Sequence, residues 1–533
     1  MSGKETITKT LKFFIELKEG QNSILNRITA RHTYAIHKYL EIIKNEEAHI
    51  FQSNRDISSR LDKLTITSKN RPSVKYDLKE ATGLNFAQLA NCGRKALEIF
   101  ESYRVLYQKW DKRQEYISQK IIIKNLSTIV LDNDSTVSNP ILENELSDFT
   151  ASKLWNNLQK GKPSLPIRSK KWKSKKIPMR FFPPCQMMVR EITDNRLFVR
   201  CSSLKQRKRI ELELKMSDYH KQELKDARIT SGKIIKNNKR KSWEFHLTIR
   251  KKIPQKLSSN KNAILGIDLG IATNATVIVL LENKQLSKKQ FYFLKENELK
   301  KKKEELYRTI AKSQNKITNV SGNQRKETVK QLKNMRSRYL SISNEICHII
   351  AKKIAIIALY YQNQNYNVHL AIGNLKGLRT IARKGNTKGK KYRGMIHRFS
   401  FNKLAEYITY KCREIGIQNI KLVREHDTSS ICHKCDSKNT SRPIQSVFVC
   451  KECGITYNAD ANGAINIALR YWSMENGIER EKVKLIFLSR NSDEEVNQRL
   501  NSQGQCETTY RDESTQNFGE SVEEMEKFCA RSL

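Results

Sequence analysis

The stretch Thr428 to Ile467, TSSICHKCDSKNTSRPIQSVFVCKECGITYNADANGAINI, carries two CxxC pairs and an acid at the mouth of a helix. Cys432 and Cys435 form the first pair, Cys450 and Cys453 the second, with fourteen residues between them. That spacing suits two knuckles facing each other around one structural zinc ion. A tetrahedral all-cysteine site has no open coordination position, so its metal holds the fold and performs no chemistry. Directly after the last thiol comes Asn458-Ala459-Asp460-Ala461-Asn462-Gly463-Ala464, then an apolar run of helical period through Ile465, Ile467, Ala468 and Leu469. Taken alone, Asp460 reads as a helix cap, because the free N–H groups of a helix start favour an anion.

A second acid changes that reading. Ala263-Ile264-Leu265-Gly266-Ile267-Asp268-Leu269-Gly270 reads as a buried strand, followed across a short turn by another apolar run, Ala275 to Leu281. A carboxylate in an apolar strand is costly unless it is paired or binds a cation. Asp268 is therefore expected to meet a metal.

GIDLG, a later strand followed by NLKGLR, HRFSFNKLAEYITYKCREIGI, the two CxxC knuckles and NADANGAINIAL follow one another between Ile264 and Leu469. In order and spacing they resemble the RuvC nuclease half of the transposon-encoded TnpB proteins and the miniature type V-F CRISPR effectors. The opening Thr6-Ile7-Thr8-Lys9-Thr10-Leu11-Lys12 resembles the first strand of the miniature effectors, whose length 533 residues also fits. The resemblance implies an RNase H-like fold with three metal-binding acids. The first and third carry over to Asp268 and Asp460. The middle one, a Glu immediately before an Asp/Asn-Leu pair, does not, because Gly373 stands before Asn374-Leu375. Glycine brings no ligand, so magnesium binding is expected to be weakened and the chain to be a naturally nuclease-dead member. Glu406 and Glu425 are the distant candidates for a relocated acid.

The fold class expected is multidomain α+β. A helical recognition domain and a small β-barrel wedge domain fill the N-terminal half, and a RuvC-like domain with an inserted zinc ribbon fills the C-terminal half. The boundaries read as 1–21 for the first wedge strand, 22–162 for the helical domain and 163–258 for the rest of the wedge. The larger RuvC segment spans 259–427, the ribbon 428–455, the last RuvC helix 456–475, and an acidic flexible tail 476–533.

A net charge of +45, with 29% charged residues, does not suit a small-molecule enzyme and points to a polyanionic partner. No run of about eighteen apolar residues is present and no signal-peptide pattern opens the chain, so an intracellular, nucleoid-associated location is expected and no membrane role. The other seven cysteines, Cys92, Cys185, Cys201, Cys347, Cys412, Cys506 and Cys529, lack metal spacing and read as reduced thiols.

Taken in order, Ile7 to Leu17 alternates as a strand. Residues 22–160 show apolar positions at three and four, with helical runs over 85–120 and 142–160. A basic linker, PSLPIRSKKWKSKK, precedes short strands at Phe181-Phe182, Met187 to Ile192, Leu197 to Cys201, Arg209 to Leu214 and Trp243 to Arg250. Trp172 is the candidate for base stacking, and Trp243 reads more readily as core. Phe291 to Gln364 reads as long helices with an inward stripe from Tyr339 to Ile357. Lys300 and Lys301 at their start, and Arg379, Arg383, Lys384, Lys388, Lys390, Lys391 and Arg393 in a glycine-rich basic loop, are the nucleic-acid-binding candidates. After Arg490 ten acids face four bases, a composition of flexible tails.

With these readings, the resemblance implies an RNA-guided DNA-binding protein that holds an R-loop beside a short flanking motif, with transcriptional regulation as its expected use. The alternative is an active endonuclease with an atypical metal ligand. Guide RNA and target double-stranded DNA are the partners implied. A homodimer on one guide and a transcription-machinery partner such as a sigma factor are further expectations.

Overall fold

Alternating apolar and polar residues make Thr6–Glu16 a strand, β1, whose Leu11, Phe13 and Ile15 point into a core while their neighbours face outward. The computed structural model describes residues 6–53, 56–68, 70–131, 162–165, 177–193, 195–204, 208–237, 240, 242–253, 259, 261–284, 286–375, 390–488 and 524–525. They fall into two units, Thr8–Lys251, and Lys252–Leu533 with Met1–Ile7.

In the first unit β1 leads into five helices: α1 (Gln21–Asn45), α2 (Glu47–Ile50), α3 (Ile57–Thr65), α4 (Leu78–Thr82) and α5 (Phe86–Leu131). Tyr39, Leu40 and Ile43 of α1 pack with Leu89, Ala96 and Phe100 of α5 in one apolar cluster. The expected helical run over 142–160 lies outside the described residues.

Six strands follow β1 into its sheet: β2 (Met179–Phe181), β3 (Met187–Thr193), β4 (Arg196–Ser202), β5 (Arg209–Lys215), β6 (Arg228–Asn237) and β7 (Ser242–Lys252), with α6 (Asp218–Leu224) before β6. Their order is β2-β6-β7-β1-β5-β4-β3. Pairing of the first strand with the later ones is as expected, but the expected barrel is corrected: the sheet is open, with β2 and β3 as its two edges. Only residues 182–186 separate these edges in sequence. Three-residue β2 spends its ladder on β6, and Pro183 and Pro184 after it have no N–H to donate. Strand β6 was not evident from the sequence. Trp243 of β7 is core, 1% exposed, its indole N–H donating to Asn22 Oδ1 at 3.0 Å.

In the second unit, β8 (Asn262–Asp268), β9 (Ala275–Leu281), β10 (Phe291–Leu294), β11 (Asn367–Asn374) and β12 (Ile420–Arg424) form a sheet of order β10-β9-β8-β11-β12. β8 and β11 pair in parallel, as do β11 and β12. Two long helices, α7 (Asn297–Thr318) and α8 (Gly322–Asn363), intervene between β10 and β11. Phe291 to Leu294, read as the start of a helix, is instead a strand, because its alternating Tyr292 and Leu294 pair with β9. The α8 stripe is inward as expected: Ile342, Ile346, Ile350 and Ile357 join the core on one sheet face with Leu265, Ile267 and Ile372.

After α9 (Lys390–Arg398) and α10 (Phe401–Glu414) comes a small sheet of β13 (Thr440–Ser441), β14 (Val447–Cys450) and β15 (Thr456–Asn458), with Cys450 in β14, Cys432 and Cys435 before β13, and Cys453 between β14 and β15. Helix α11 (Ala459–Asn476) then covers the other face of the large sheet, where its Ala464 packs with Ile264, Ala371 and Val423. The tail does not begin as flexible chain, since α12 (Arg480–Phe487) buries Val483 and Phe487 against the cluster that holds Trp472. Residues 489–523 lie outside the described residues, and Met525 is buried with the core of the large sheet. Among the described residues no helix is long and apolar enough to cross a membrane.

Candidate active site

A two-residue strand period decides which side chains share the face beneath α11. Ile264, Gly266 and Asp268 of β8 share that face, as do Ala371 and Gly373 of β11 and Val423 with Glu425, one residue beyond β12. The registers align them. Ile372 pairs with Ile267, so Gly373 and Asp268 come next, and Gly373 itself pairs with Val423.

Gly373 leaves a space that Glu425 fills. A Cβ at 373 would lie 1.8 Å from Glu425 Oε1 and 2.8 Å from its carboxyl carbon. The sheet position that lacks an acid therefore has one laid over it by the adjacent strand. Of the two relocation candidates named from sequence, Glu425 is the one at the site. Glu406 lies in α10.

Burial and then the Asp268 charge push the Glu425 carboxyl up to about 8. Burial and then Asp460 push Asp268 up to about 7, against the Arg442 charge and the Leu269 N–H. Asp460 is raised by burial, against a hydrogen bond from the Thr273 hydroxyl and the charges of Arg442 and Lys295. Asp460 does not cap its helix, because Asn458 accepts the N–H groups of Asp460 and Ala461 at 3.0 and 3.1 Å. Its carboxylate is thereby left for the cluster. Gly463, one turn on, gives Asp268 room: a Cβ there would lie 2.9 Å from Asp268 Oδ2.

Three acids with raised proton affinity, one of them with a buried oxygen (Glu425 Oε1) that has no hydrogen-bond partner, form a donor set suited to hard divalent cations. They do not converge on one point. Among the described residues only the cysteines bring all ligand atoms within 4.8 Å of one another. The Asp460 charge acts on Asp268 and the Asp268 charge on Glu425, which makes two pairs sharing one acid.

Arg442 was not evident from the sequence, since no spacing rule marks a ribbon arginine. Its guanidinium donates to Ser429 O at 2.7 Å, and its charge acts on both Asp268 and Asp460. Thr273, buried in the turn after β8, was likewise missed.

The four cysteines can bind a metal ion such as zinc. Cys432 and Cys453 sulfurs are 3.7 Å apart and those of Cys435 and Cys450 3.5 Å. Such spacings are close to the roughly 3.8 Å expected between sulfurs around tetrahedral zinc and far beyond a disulfide. Burial raises the Cys450 thiol, but N–H groups of Cys453 and Glu452 with neighbouring thiols bring it down to about 7. Burial raises the Cys432 and Cys453 thiols, so without a metal the cluster keeps protons that a bound ion would displace.

The nucleic-acid candidates divide. Arg379, Arg383, Lys384 and Lys388, and Trp172, lie outside the described residues. Lys390 and Lys391 begin α9, and Arg393 is partly buried within it. Lys301 is exposed on α7. Lys300 is engaged within the chain, its ammonium donating to Ile271 O at 3.2 Å and Ala272 O at 2.6 Å, in the turn that carries Thr273. Burial and then the Lys295 charge bring Lys300 down to about 8.

The model of the Cas12f1-like TNB domain matches residues 401–467, and that of the Aq_aa04 family matches residues 9–150. A TnpB-like protein of Aquifex aeolicus (strain VF5) is 26% identical over 257 residues, 46% of this chain and 78% of that protein. The CRISPR-associated endodeoxyribonuclease Cas12f1 of Sulfoacidibacillus thermotolerans is 24% identical over 249 residues, 46% of this chain and 54% of that protein. The chain thus spans about half the length of that second relative. A solved Cas12f1 in complex with sgRNA and target DNA aligns over 87% of this chain and 99% of its own, at 17% identity and a TM-score of 0.45. By the TNB-domain match, the two relatives and the ordered motifs, the chain is similar to the miniature TnpB/Cas12f-like effectors.

Proposed function

We propose that the chain is an RNA-guided DNA endonuclease whose third metal-binding acid has moved from β11 to Glu425. One observation carries this reading: the Glu425 carboxylate fills the space over Gly373, on the face of Asp268. The expectation of an inactive site rested on Gly373 bringing no ligand; in this reading Glu425 offers one in its place.

Asp268, Asp460 and Glu425 are the residues that would hold divalent ions, magnesium in the cell. Divalent ions held there would supply activation of an attacking water and stabilisation of the leaving oxygen of a phosphodiester. The chain's own groups prepare the site. Thr273 holds the Asp460 carboxylate, and Arg442 presents a guanidinium beside the acid pair, where it can share a phosphate oxygen. The metal at the four cysteines is zinc in this reading, and structural. A guide RNA supplies sequence by base pairing and the target is duplex DNA. A second copy on the same guide, and a sigma-factor-like partner, enter only as expectations of the resemblance.

The test is magnesium-dependent cleavage of a matched duplex by the purified protein with its co-purifying RNA, beside Asp268→Asn and Glu425→Gln. The native complex is expected to cut, and both variants to bind without cutting. Native protein that binds the duplex and leaves it whole would return the chain to a guide-directed DNA binder, with occupancy or recruitment as its use.

A further inference from the structure

Helix α11 contributes Asp460 near its first turn, and its stripe at four-residue spacing, Asn462, Asn466 and Arg470, faces the chain segment that follows β12. Each member of the stripe holds that segment by its backbone. Asn462 accepts the His433 N–H at 3.0 Å and donates to Ile431 O at 2.9 Å. Asn466 donates to Thr428 O at 2.8 Å and Ile431 O at 2.7 Å. Arg470 donates through one guanidinium nitrogen to Arg424 O at 2.6 Å and His426 O at 2.7 Å, the carbonyls on either side of Glu425. The Glu425 carbonyl itself accepts from Thr428 N at 3.2 Å and Thr428 Oγ1 at 2.9 Å. Thr428 is buried.

These contacts matter for a particular reason. An acid within β11 would have its backbone set by ladder bonds on both sides. Glu425 lies one residue past the end of an edge strand, where no ladder sets it. Backbone beyond a strand end is free to turn, so a side chain there keeps its aim only if something else fixes the carbonyls.

We propose that Arg470, with Asn466 acting through Thr428, is a positioning residue for Glu425, so that one helix bears Asp460 and also sets the third acid. This inference rests on the reading of Glu425 as a metal ligand. Arg470 touches no reacting atom. It fixes the peptide units from which the carboxylate projects, and partners that orient a metal's ligands are worth roughly 10–100-fold in metal affinity.

The experiment measures the affinity of the RNA-loaded protein for Mn²⁺ alone by electron paramagnetic resonance. It uses native protein, Arg470→Ala, Arg470→Lys, Glu425→Gln and the Arg470→Ala/Glu425→Gln double variant, with a melting curve on each. Arg470→Ala is expected to weaken Mn²⁺ binding about tenfold or more, Arg470→Lys to restore part of it, and Arg470→Ala to add nothing once Glu425 is Gln. A purely structural role would weaken binding equally in both backgrounds. If folded Arg470→Ala binds Mn²⁺ as native protein does while Glu425→Gln is weakened, the positioning role is overturned and the third-acid reading stands. If Glu425→Gln itself binds normally, both fall. Should Arg470→Ala fail to fold, Asn466→Ser is carried through the same cycle with the same expectations.

Discussion

Gly373→Ala separates the two readings of this site with a single methyl group. An ideal Cβ at 373 would stand 1.8 Å from Glu425 Oε1, while a carbon and an oxygen touch at about 3.3 Å, so the carboxylate must retreat by about 1.5 Å. The three nearest obstacles all belong to the outer part of the Glu425 side chain, which can turn aside. Folding is therefore little affected, on the order of 1 kcal/mol for an off-rotamer side chain, offset in part by the lower chain entropy of Ala in the unfolded state. The effect on a cation is larger. For unit charges at an effective dielectric of about 20, a separation of about 4 Å is worth ~4 kcal/mol and one of about 5.5 Å ~3 kcal/mol. Doubled for a divalent ion, the loss is about 2 kcal/mol, or ~30-fold in affinity. Titration of Mn²⁺ into the RNA-loaded protein, with cleavage of a matched duplex in parallel, should show that drop with a melting temperature within a few degrees of native. The reasoning is refuted if Gly373→Ala binds and cuts as native protein does, or if it loses as much again in a Glu425→Gln background, where the methyl has no carboxylate to displace.

Moving the acid back is the complementary test: Gly373→Glu alone crowds the site, whereas Gly373→Glu with Glu425→Ala should recover Mn²⁺ binding that Glu425→Ala alone loses. On pH, Glu425 near 8, Asp268 near 7 and a raised Asp460 all lie above their unfolded values, so the metal-free fold holds protons that the unfolded chain releases. Their contribution to stability is complete below the ordinary carboxylate range near 4 and is lost as pH rises through 7 to 8. Melting in chelator should thus fall across that window more steeply for native protein than for Glu425→Gln, and Mg²⁺ should protect most at the alkaline end. Elemental analysis should find one zinc per chain, and Cys450→Ser should lower Mn²⁺ affinity as well as melting temperature, because the ribbon links Glu425 to Asp460; unchanged Mn²⁺ binding would uncouple the two sites. In the first unit, Trp243→Ala should cost about 3–5 kcal/mol by emptying a core position, and Trp243→Leu, where folded, should leave RNA affinity unchanged, which a stacking role would not allow.

Much of the site can be read in local pattern. The CxxC pairs are four residues each, and the apolar strand with Asp268 and the loop-to-helix step at Asp460 are visible because period and spacing act over short distances. The same logic recovered β1 to β5, β7 and the α8 stripe. It missed β6, and it took the short strand at Phe291 for helix, since four apolar residues fit either period. Barrel closure was beyond it too, because hydrogen bonding between sheet edges is set by long-range geometry and by where prolines remove donors.

Read alone, the residues give a strongly basic chain, four cysteines at metal-ligand spacing, and two acids, one in a strand and one at a helix start, in the order of the resemblance. They also show that β11 lacks its acid. What stands there instead becomes visible only in the folded chain. Glu425 and Gly373 lie about fifty residues apart in sequence and are brought together by parallel pairing of β11 with β12. A parallel register is fixed by the crossover between two strands and by the packing of both faces, and neither leaves a mark at the glycine or the glutamate.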